Sequence, residues 1–113
     1  MKVLKFGGTS VGSVESIHQI QHIIGQQTDD CIVVVSALGG ITDQLLKAAH
    51  MALQTDETYM EIYQSIRQRH LDMVNALIDN DTVRQMLLHE LESTLDELRS
   101  ILFGVHLVND LSE

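Results

Sequence analysis

The sequence has no proline and no tryptophan, and aromatic residues occupy 4% of its 113 positions. Cys31 is the single cysteine, which excludes an intrachain disulfide framework and fits a reducing compartment. No apolar run approaches the roughly 20 residues that a helix needs to span a bilayer. The first residues also lack the apolar leader and small-residue cleavage pattern of a secretory signal. We therefore expect a cytoplasmic protein with no membrane partner.

Basic residues are scarce, since 7 Lys and Arg stand against 16 Asp and Glu and give a formal net charge of −9. This charge argues against a nucleic-acid backbone or an anionic membrane surface as the main partner. Residues 1–28 differ, because their charged side chains are only Lys2, Lys5 and Glu15. The amino-terminal end is therefore the part of the chain best suited to binding a phosphate.

Two short apolar runs predict two strands, at about residues 2–6 and 31–36. The second run, Cys31–Val35, is continuous and rich in β-branched residues. Apolar runs without alternation are typical of strands that are covered on both faces of a parallel sheet. Each run is followed by a loop of small residues and then by a helical pattern. The sequence therefore predicts an α/β fold with two parallel strands.

Four or more helices are predicted from apolar residues at helical spacing. Ser13 is a good N-cap for a first helix that ends near Gly25. Three further stripes, at about 45–53, 59–78 and 83–105, predict another helix and a long αα-hairpin in which Tyr59 and Tyr63 are packing residues. The residues from Val108 onwards resemble the start of a further capped element. Two strands would leave both sheet edges unpaired, so we expect the front portion of a larger domain.

The loop after the first strand combines three kinds of group within six positions. Lys5 supplies a positive charge, Gly7 and Gly8 let backbone amides approach a ligand, and Thr9 and Ser10 add hydroxyls. A strand, a glycine turn and a helix together form an anion site. Residues 36–43 form a second small-residue loop at the same carboxyl edge of the sheet, where ligands bind in open α/β folds. The P-loop and dinucleotide fingerprints are both absent.

Two strings of residues resemble a known family. Residues 5–12, KFGGTSVG, resemble the opening signature of aspartokinases within the amino acid kinase family, and residues 35–43, VSALGGITD, resemble its second loop. The helical region, including LFGV at 102–105, is similar to the bifunctional aspartokinase–homoserine dehydrogenases. The resemblance implies the N-terminal part of a three-layer amino acid kinase-like sandwich. Residues 1–113 would then be a partial kinase domain, without the remaining kinase, regulatory and possible dehydrogenase regions.

The resemblance also implies an activity, the transfer of phosphate from ATP to the side-chain carboxylate of L-aspartate. Formation of the product, 4-phospho-L-aspartate, would be the first step of lysine, threonine and methionine biosynthesis. Mg²⁺ would accompany ATP with no metal-ligating residue assigned, and NADP would belong only to a dehydrogenase half. A homo-oligomer is expected. The implied roles are catalysis by Lys5, ATP-phosphate binding by Lys5, Gly7, Gly8, Thr9 and Ser10, and aspartate binding by Ser36, Gly40 and Thr42.

Two alternatives remain open at this point. The first is another amino acid kinase, acting on glutamate or acetylglutamate, although Thr9-Ser10-Val11 and Thr42-Asp43 favour aspartate. The second is a non-catalytic helical interaction module whose α/β end binds phosphate or nothing. The family's Gly-Glu motif and its arginine contact to the substrate carboxylate have no counterpart in the 113 residues. We therefore expect the chain on its own to be inactive.

Overall fold

The computed structural model describes residues 1–54 and 56–112. Within them the order is β1 (Lys2–Phe6), a 3-10 helix (Gly8–Val11), α1 (Val14–Gly25), β2 (Cys31–Val35), α2 (Ile41–Leu53), α3 (Tyr59–Leu77) and α4 (Asp81–Ser112). The chain divides into two compact units, Met1–Thr42 and Asp43–Glu113. The predicted α/β class, with two parallel strands, four α-helices and an αα-hairpin, is confirmed for the described residues.

In the first unit, β1 and β2 pair in parallel with a register that runs from Lys2 opposite Cys31 to Phe6 opposite Val35. The pairing extends one step past the strands, because the Ser36 amide donates to the Phe6 carbonyl oxygen at 3.1 Å. Both strands therefore end at the same level, and the loops that follow them leave from the same edge of the sheet.

The faces of β2 are more exposed than its sequence indicates. Ile32, Val33, Val34 and Val35 are 46%, 38%, 45% and 57% exposed. Because side chains alternate along a strand, these values mean that both faces of β2 remain open. The apolar run identified the strand correctly, but the prediction that both its faces are covered is wrong for this structure. Composition reports the environment to which a strand is suited, whereas exposure depends on which elements pack against it.

Helix α1 begins as the sequence predicts. The Ser13 hydroxyl accepts a hydrogen bond from the Ser16 amide at 3.1 Å, which satisfies one of the free donors of the first turn. Its apolar stripe buries Ile20. The helix ends at Gly25 with Gln26 as the C-cap, and the Gln26 amide bonds to the carbonyl oxygens of His22 and Ile23, both at 3.2 Å.

The second unit contains the hairpin of α3 and α4. Asn80, in the turn between them, caps the start of α4, since its side-chain oxygen accepts a hydrogen bond from the Val83 amide at 3.0 Å. Tyr59 and Tyr63 are buried as predicted, and the Tyr63 hydroxyl donates to the Leu95 carbonyl oxygen at 3.2 Å. An ion pair between Arg67 and Glu92 also joins the two helices. Among the residues of this unit whose burial the structure describes, the buried apolar ones are Ala48, Ala52, Tyr59, Tyr63, Ile66, Leu95 and Leu102.

Helix α4 runs without a break from Asp81 to Ser112, so the prediction of a new capped element at Val108 is wrong. Asn109 and Asp110 suggested a cap, but no proline interrupts the helix and its hydrogen bonding continues past them. Asn109 instead donates from its side chain to the Leu53 carbonyl oxygen. Glu113, the last residue of the predicted element, lies outside the described residues. Among the described helices, none is both long enough and apolar enough to cross a membrane.

Candidate phosphate-binding site

The loop after β1 folds into a single 3-10 turn. Gly7 is extended, with φ −109° and ψ 174°, and its carbonyl oxygen accepts from the Ser10 amide at 2.8 Å. The Gly12 amide donates to the Thr9 carbonyl oxygen at 3.3 Å and closes the turn. The amides of Gly8 and Thr9 make no hydrogen bond to any described residue. Two adjacent backbone donors are therefore available to an anion.

Gly7 and Gly8 leave room for such a ligand. A Cβ atom built at either residue would meet no heavy atom within 4 Å. Neither residue has a positive φ, so the backbone itself would accept an alanine. What glycine provides here is access to the backbone by a ligand, and not a special conformation.

The second loop packs directly on the first through Gly39. A Cβ atom at Gly39 would lie 2.9 Å from the Gly8 carbonyl oxygen and 3.5 Å from the Gly12 Cα atom. The first distance is shorter than any real contact of this kind, so only glycine fits without a shift of the backbone. Gly39 was not among the residues predicted from the sequence. Its only signal was its place beside Gly40, and nothing local indicates a contact with a loop some thirty residues earlier.

Gly40 and its neighbours complete the second loop. Gly40 has φ 84°, in the left-handed region that favours glycine, and α2 begins at the next residue. Thr42 lies in the first turn of α2 and is exposed. The Ser36 hydroxyl is also exposed and donates to the Ala37 carbonyl oxygen at 2.8 Å. Ser36 would have to rotate this hydroxyl in order to donate to a substrate carboxylate.

Lys5 lies on β1 opposite Val34, close to the point where the strand enters the glycine turn. Its side chain is exposed, and no carboxylate of the described residues forms an ion pair with it. A lysine ammonium group on its flexible stem can follow a phosphate as a point charge. Lys5 is therefore available for a ligand at this edge.

A cavity of about 280 Å³ lies between the 3-10 turn and α1. Thr9 and Ser10 line it from the turn, and Ser16 and Gln19 line it from the helix. The sequence predicted the first two residues as site residues and missed the other two. Helical spacing put Ser16 and Gln19 in α1, but no motif marked them as neighbours of the glycine loop.

The structure thus gathers the predicted residues within Met1–Thr42. One turn contains Gly7, Gly8, Thr9 and Ser10. The second loop packs against this turn through Gly39, and Ser36 follows β2, the strand that pairs with β1. This is an edge with free amides, hydroxyls and one cation, suited to binding a phosphate. Within the described residues no group of three His, Cys, Asp or Glu side chains is arranged to hold a metal ion. The individual roles of the predicted site residues toward ATP and aspartate stay predictions.

Comparison with known proteins identifies the family to which the chain is similar. A sequence model of the amino acid kinase family matches residues 1–108. The bifunctional aspartokinase/homoserine dehydrogenase 2 of Arabidopsis thaliana is 29% identical over 112 residues, which cover 98% of this chain and 12% of that relative. Aspartokinase 2 of the same plant is 31% identical over 114 residues, covering 97% of this chain and 20% of the relative.

A bacterial relative shows a stronger local likeness. The aspartokinase of Geobacillus stearothermophilus is 49% identical over 53 residues, which cover 42% of this chain and 12% of the relative. The matched residues therefore cover between 12% and 20% of the length of these relatives.

Proposed function

The chain belongs to the amino acid kinase family, and on that basis we propose that it carries the ATP-phosphate and aspartate contacts of an aspartate kinase. The observation that carries this proposal is the contact between Gly39 and Gly8. This contact brings the first loop, which has free backbone amides, next to the second loop, which carries hydroxyl groups, at one edge of the sheet. A reaction between two substrates requires two binding loops that lie close together. Relatives named as aspartokinases favour aspartate as the acceptor.

In the proposed reaction, a side-chain carboxylate oxygen of L-aspartate attacks the γ-phosphorus of ATP. The new oxygen–phosphorus bond forms as the bond to the bridging oxygen breaks, and the leaving group departs as ADP. No covalent enzyme intermediate is needed, so the protein contributes positioning and charge stabilisation. The products are ADP and 4-phospho-L-aspartate.

The geometry of the first loop supports the roles that we propose for its residues. The amides of Gly8 and Thr9 donate to phosphate oxygens, Gly7 keeps the approach open, and Thr9 and Ser10 add hydroxyl donors. Lys5 offsets the negative charge that gathers on the transferred phosphoryl group. Preorganised donors of this kind stabilise the transition state without reorganising during the reaction.

Ser36, Gly40 and Thr42 hold the aspartate in this proposal. Gly40 sets the path of the second loop through its positive φ, while the two hydroxyls face the substrate. Mg²⁺ supplies charge neutralisation when bound with ATP, and it is held largely by phosphate oxygens and water in such sites. We assign no side chain of this chain to it.

The whole activity belongs to a larger assembly in this proposal. Since the chain spans 12% to 20% of the length of its relatives, we propose that segments outside these 113 residues complete the kinase site. We also propose that the protein is a homo-oligomer. We further propose that it is cytoplasmic, and the free thiol of Cys31 supports this location because free thiols persist in reducing compartments. Several relatives carry a homoserine dehydrogenase activity in their names, and for this protein that half remains a proposal.

The proposal is tested by nucleotide binding with two matched lysine variants. Lys2 and Lys5 lie on the same strand, both are exposed, and each carries one positive charge. Being three residues apart, they point to opposite faces of β1. We expect Lys5→Ala to weaken the binding of MgATP by about tenfold or more, because a charge-assisted contact is lost. Lys2→Ala should change the affinity less than about twofold.

Isothermal titration calorimetry of the 113-residue chain measures both affinities. Equal effects of the two substitutions would contradict a specific role for Lys5. A chain that binds no nucleotide would favour the non-catalytic helical module. In the presence of MgATP, tighter binding of glutamate or acetylglutamate than of L-aspartate would favour another amino acid kinase.

A further inference from the structure

The second unit contains a cavity of about 640 Å³ between the start of α3 and the carboxyl-terminal half of α4. This volume is in the range of small-molecule sites, which are mostly apolar with a few polar groups. Neither the kinase motifs nor the relatives' names account for it. The lining residues that matter for the argument are Glu57, Tyr59, Arg99, Ser100, Phe103 and His106.

Arg99 differs from the other arginines whose contacts are known. Arg67 is paired with Glu92 and Arg84 with Asp81, whereas no carboxylate of the described residues pairs with Arg99. A guanidinium presents several donors in a planar fork that fits a carboxylate in a bidentate manner. Arg99 therefore brings an uncommitted cation to a cavity in a chain whose net charge is −9.

His106 contributes a donor through its ring. Its Nδ1 atom is buried and has no hydrogen-bond partner among the described residues. A buried acceptor without a partner is tolerated more readily than a buried N–H without one, so we place the ring proton on Nε2. Since Nε2 is not buried in this way, it is the nitrogen that a ligand reaches, and it donates.

The apolar part of the cavity is aromatic. The rings of Tyr59 and His106 are 5.3 Å apart and tilted by 39°, and Phe103 is 54% exposed. Arg99, Phe103 and His106 are spaced i, i+4 and i+7 along α4, so they share one helix face. A cation, a flat apolar surface and a ring N–H donor therefore follow one another along the cavity wall.

We propose that this cavity binds an organic anion with a flat, apolar body. The carboxylate or similar group of the ligand binds Arg99, the flat body packs against Phe103, and the Nε2–H group of His106 donates to an acceptor at the far end. Glu57 is the one acidic side chain in the lining, and it opposes an anion. The proposal does not depend on the kinase function, because all these residues lie in Asp43–Glu113.

The probe is sodium 2-naphthoate, titrated into the ¹⁵N-labelled 113-residue chain and followed by amide chemical shifts. We expect saturable shifts at Tyr59 and at residues 99–106, with a Kd of about 1 mM or tighter. The neutral analogue 2-naphthamide should bind about tenfold more weakly, because it loses the charge-assisted contact. Absence of saturable shifts at these amides, or shifts confined to β1 and β2, would overturn the proposal.

Three exposed charges give matched variants that leave the core untouched. Arg99→Gln should weaken naphthoate binding about tenfold, and Glu57→Gln should strengthen it about twofold to threefold. Lys47→Gln removes the same charge as Arg99→Gln from a residue outside the cavity and should change the affinity less than twofold. Equal losses in the Arg99 and Lys47 variants, or weaker binding by Glu57→Gln, would show that the cavity does not select an anion.

Discussion

The glycines of the two loops serve different physical purposes. Gly7 and Gly8 have open space where a side chain would be, whereas a Cβ atom at Gly39 would overlap the Gly8 carbonyl oxygen at 2.9 Å. At Gly40 a third reason favours glycine, because its φ of 84° lies in the left-handed region. The sequence identified Gly7, Gly8 and Gly40 because glycine pairs stand out in a motif. It did not identify Gly39, because a contact between two distant loops leaves no local trace.

This difference predicts opposite outcomes for two alanine substitutions. Gly39→Ala should lower the free energy of unfolding by about 1–3 kcal/mol, since a methyl group is forced against the backbone. Gly7→Ala should change the free energy of unfolding by less than about 0.5 kcal/mol, because the added methyl group contacts no other atom in the folded chain. Urea denaturation of both variants measures the difference. Similar stabilities for Gly39→Ala and Gly7→Ala would show that the two loops do not pack closely.

At the scale of elements, the sequence predicted most helix boundaries to within a few residues and missed the end of α4. Ser13 caps α1 as expected because its hydroxyl acts on an amide three residues away, a purely local interaction. The end of α4 was misplaced because the pair Asn109-Asp110 is a common cap signal in sequence, whereas the helix continues to Ser112. Nor did the sequence show that Arg67 meets Glu92, since that pair depends on how α3 and α4 pack.

The start of α3 depends on a carboxylate in the preceding turn. Asp56 accepts hydrogen bonds from the Thr58 amide at 3.0 Å and the Thr58 hydroxyl at 2.7 Å. These bonds, the amide bond first, lower the pKa of Asp56 below its usual range. Because they favour the ionised form in the folded state, they stabilise the fold above the usual aspartate pKa. That contribution is lost as the pH falls through the lowered pKa.

We therefore expect Asp56→Asn to lower the melting temperature at pH 7, and this difference from the unmodified chain should shrink below about pH 4. Thermal unfolding followed by circular dichroism at both pH values measures it. Asp79→Asn is the control, because this substitution removes the same charge from a residue that makes no hydrogen bond among the described residues. A pH-independent gap for Asp56→Asn, or an equal effect of Asp79→Asn, would contradict the role given to the Thr58 bonds.

At the scale of the whole molecule, charge and packing are divided between the two units. Met1–Thr42 contains two of the seven basic residues and three of the sixteen acidic ones, so most of the negative charge lies in Asp43–Glu113. The candidate phosphate site therefore occupies the less acidic unit. The sequence predicted this asymmetry directly. It did not predict the exposure of β2, because burial depends on neighbouring elements and not on the composition of the strand.

The central claim is that the turn at Gly7–Ser10 binds the phosphates of ATP, and amide chemical shifts during a MgATP titration test it most directly. In the ¹⁵N-labelled chain, the Gly8 and Thr9 resonances should shift saturably, since their amides lack an acceptor in the described structure. In Lys5→Ala the same shifts should require about tenfold or more MgATP to saturate, whereas in Lys2→Ala they should saturate at nearly the original concentration. Gly8 and Thr9 amides that stay unchanged at saturating MgATP would contradict the account.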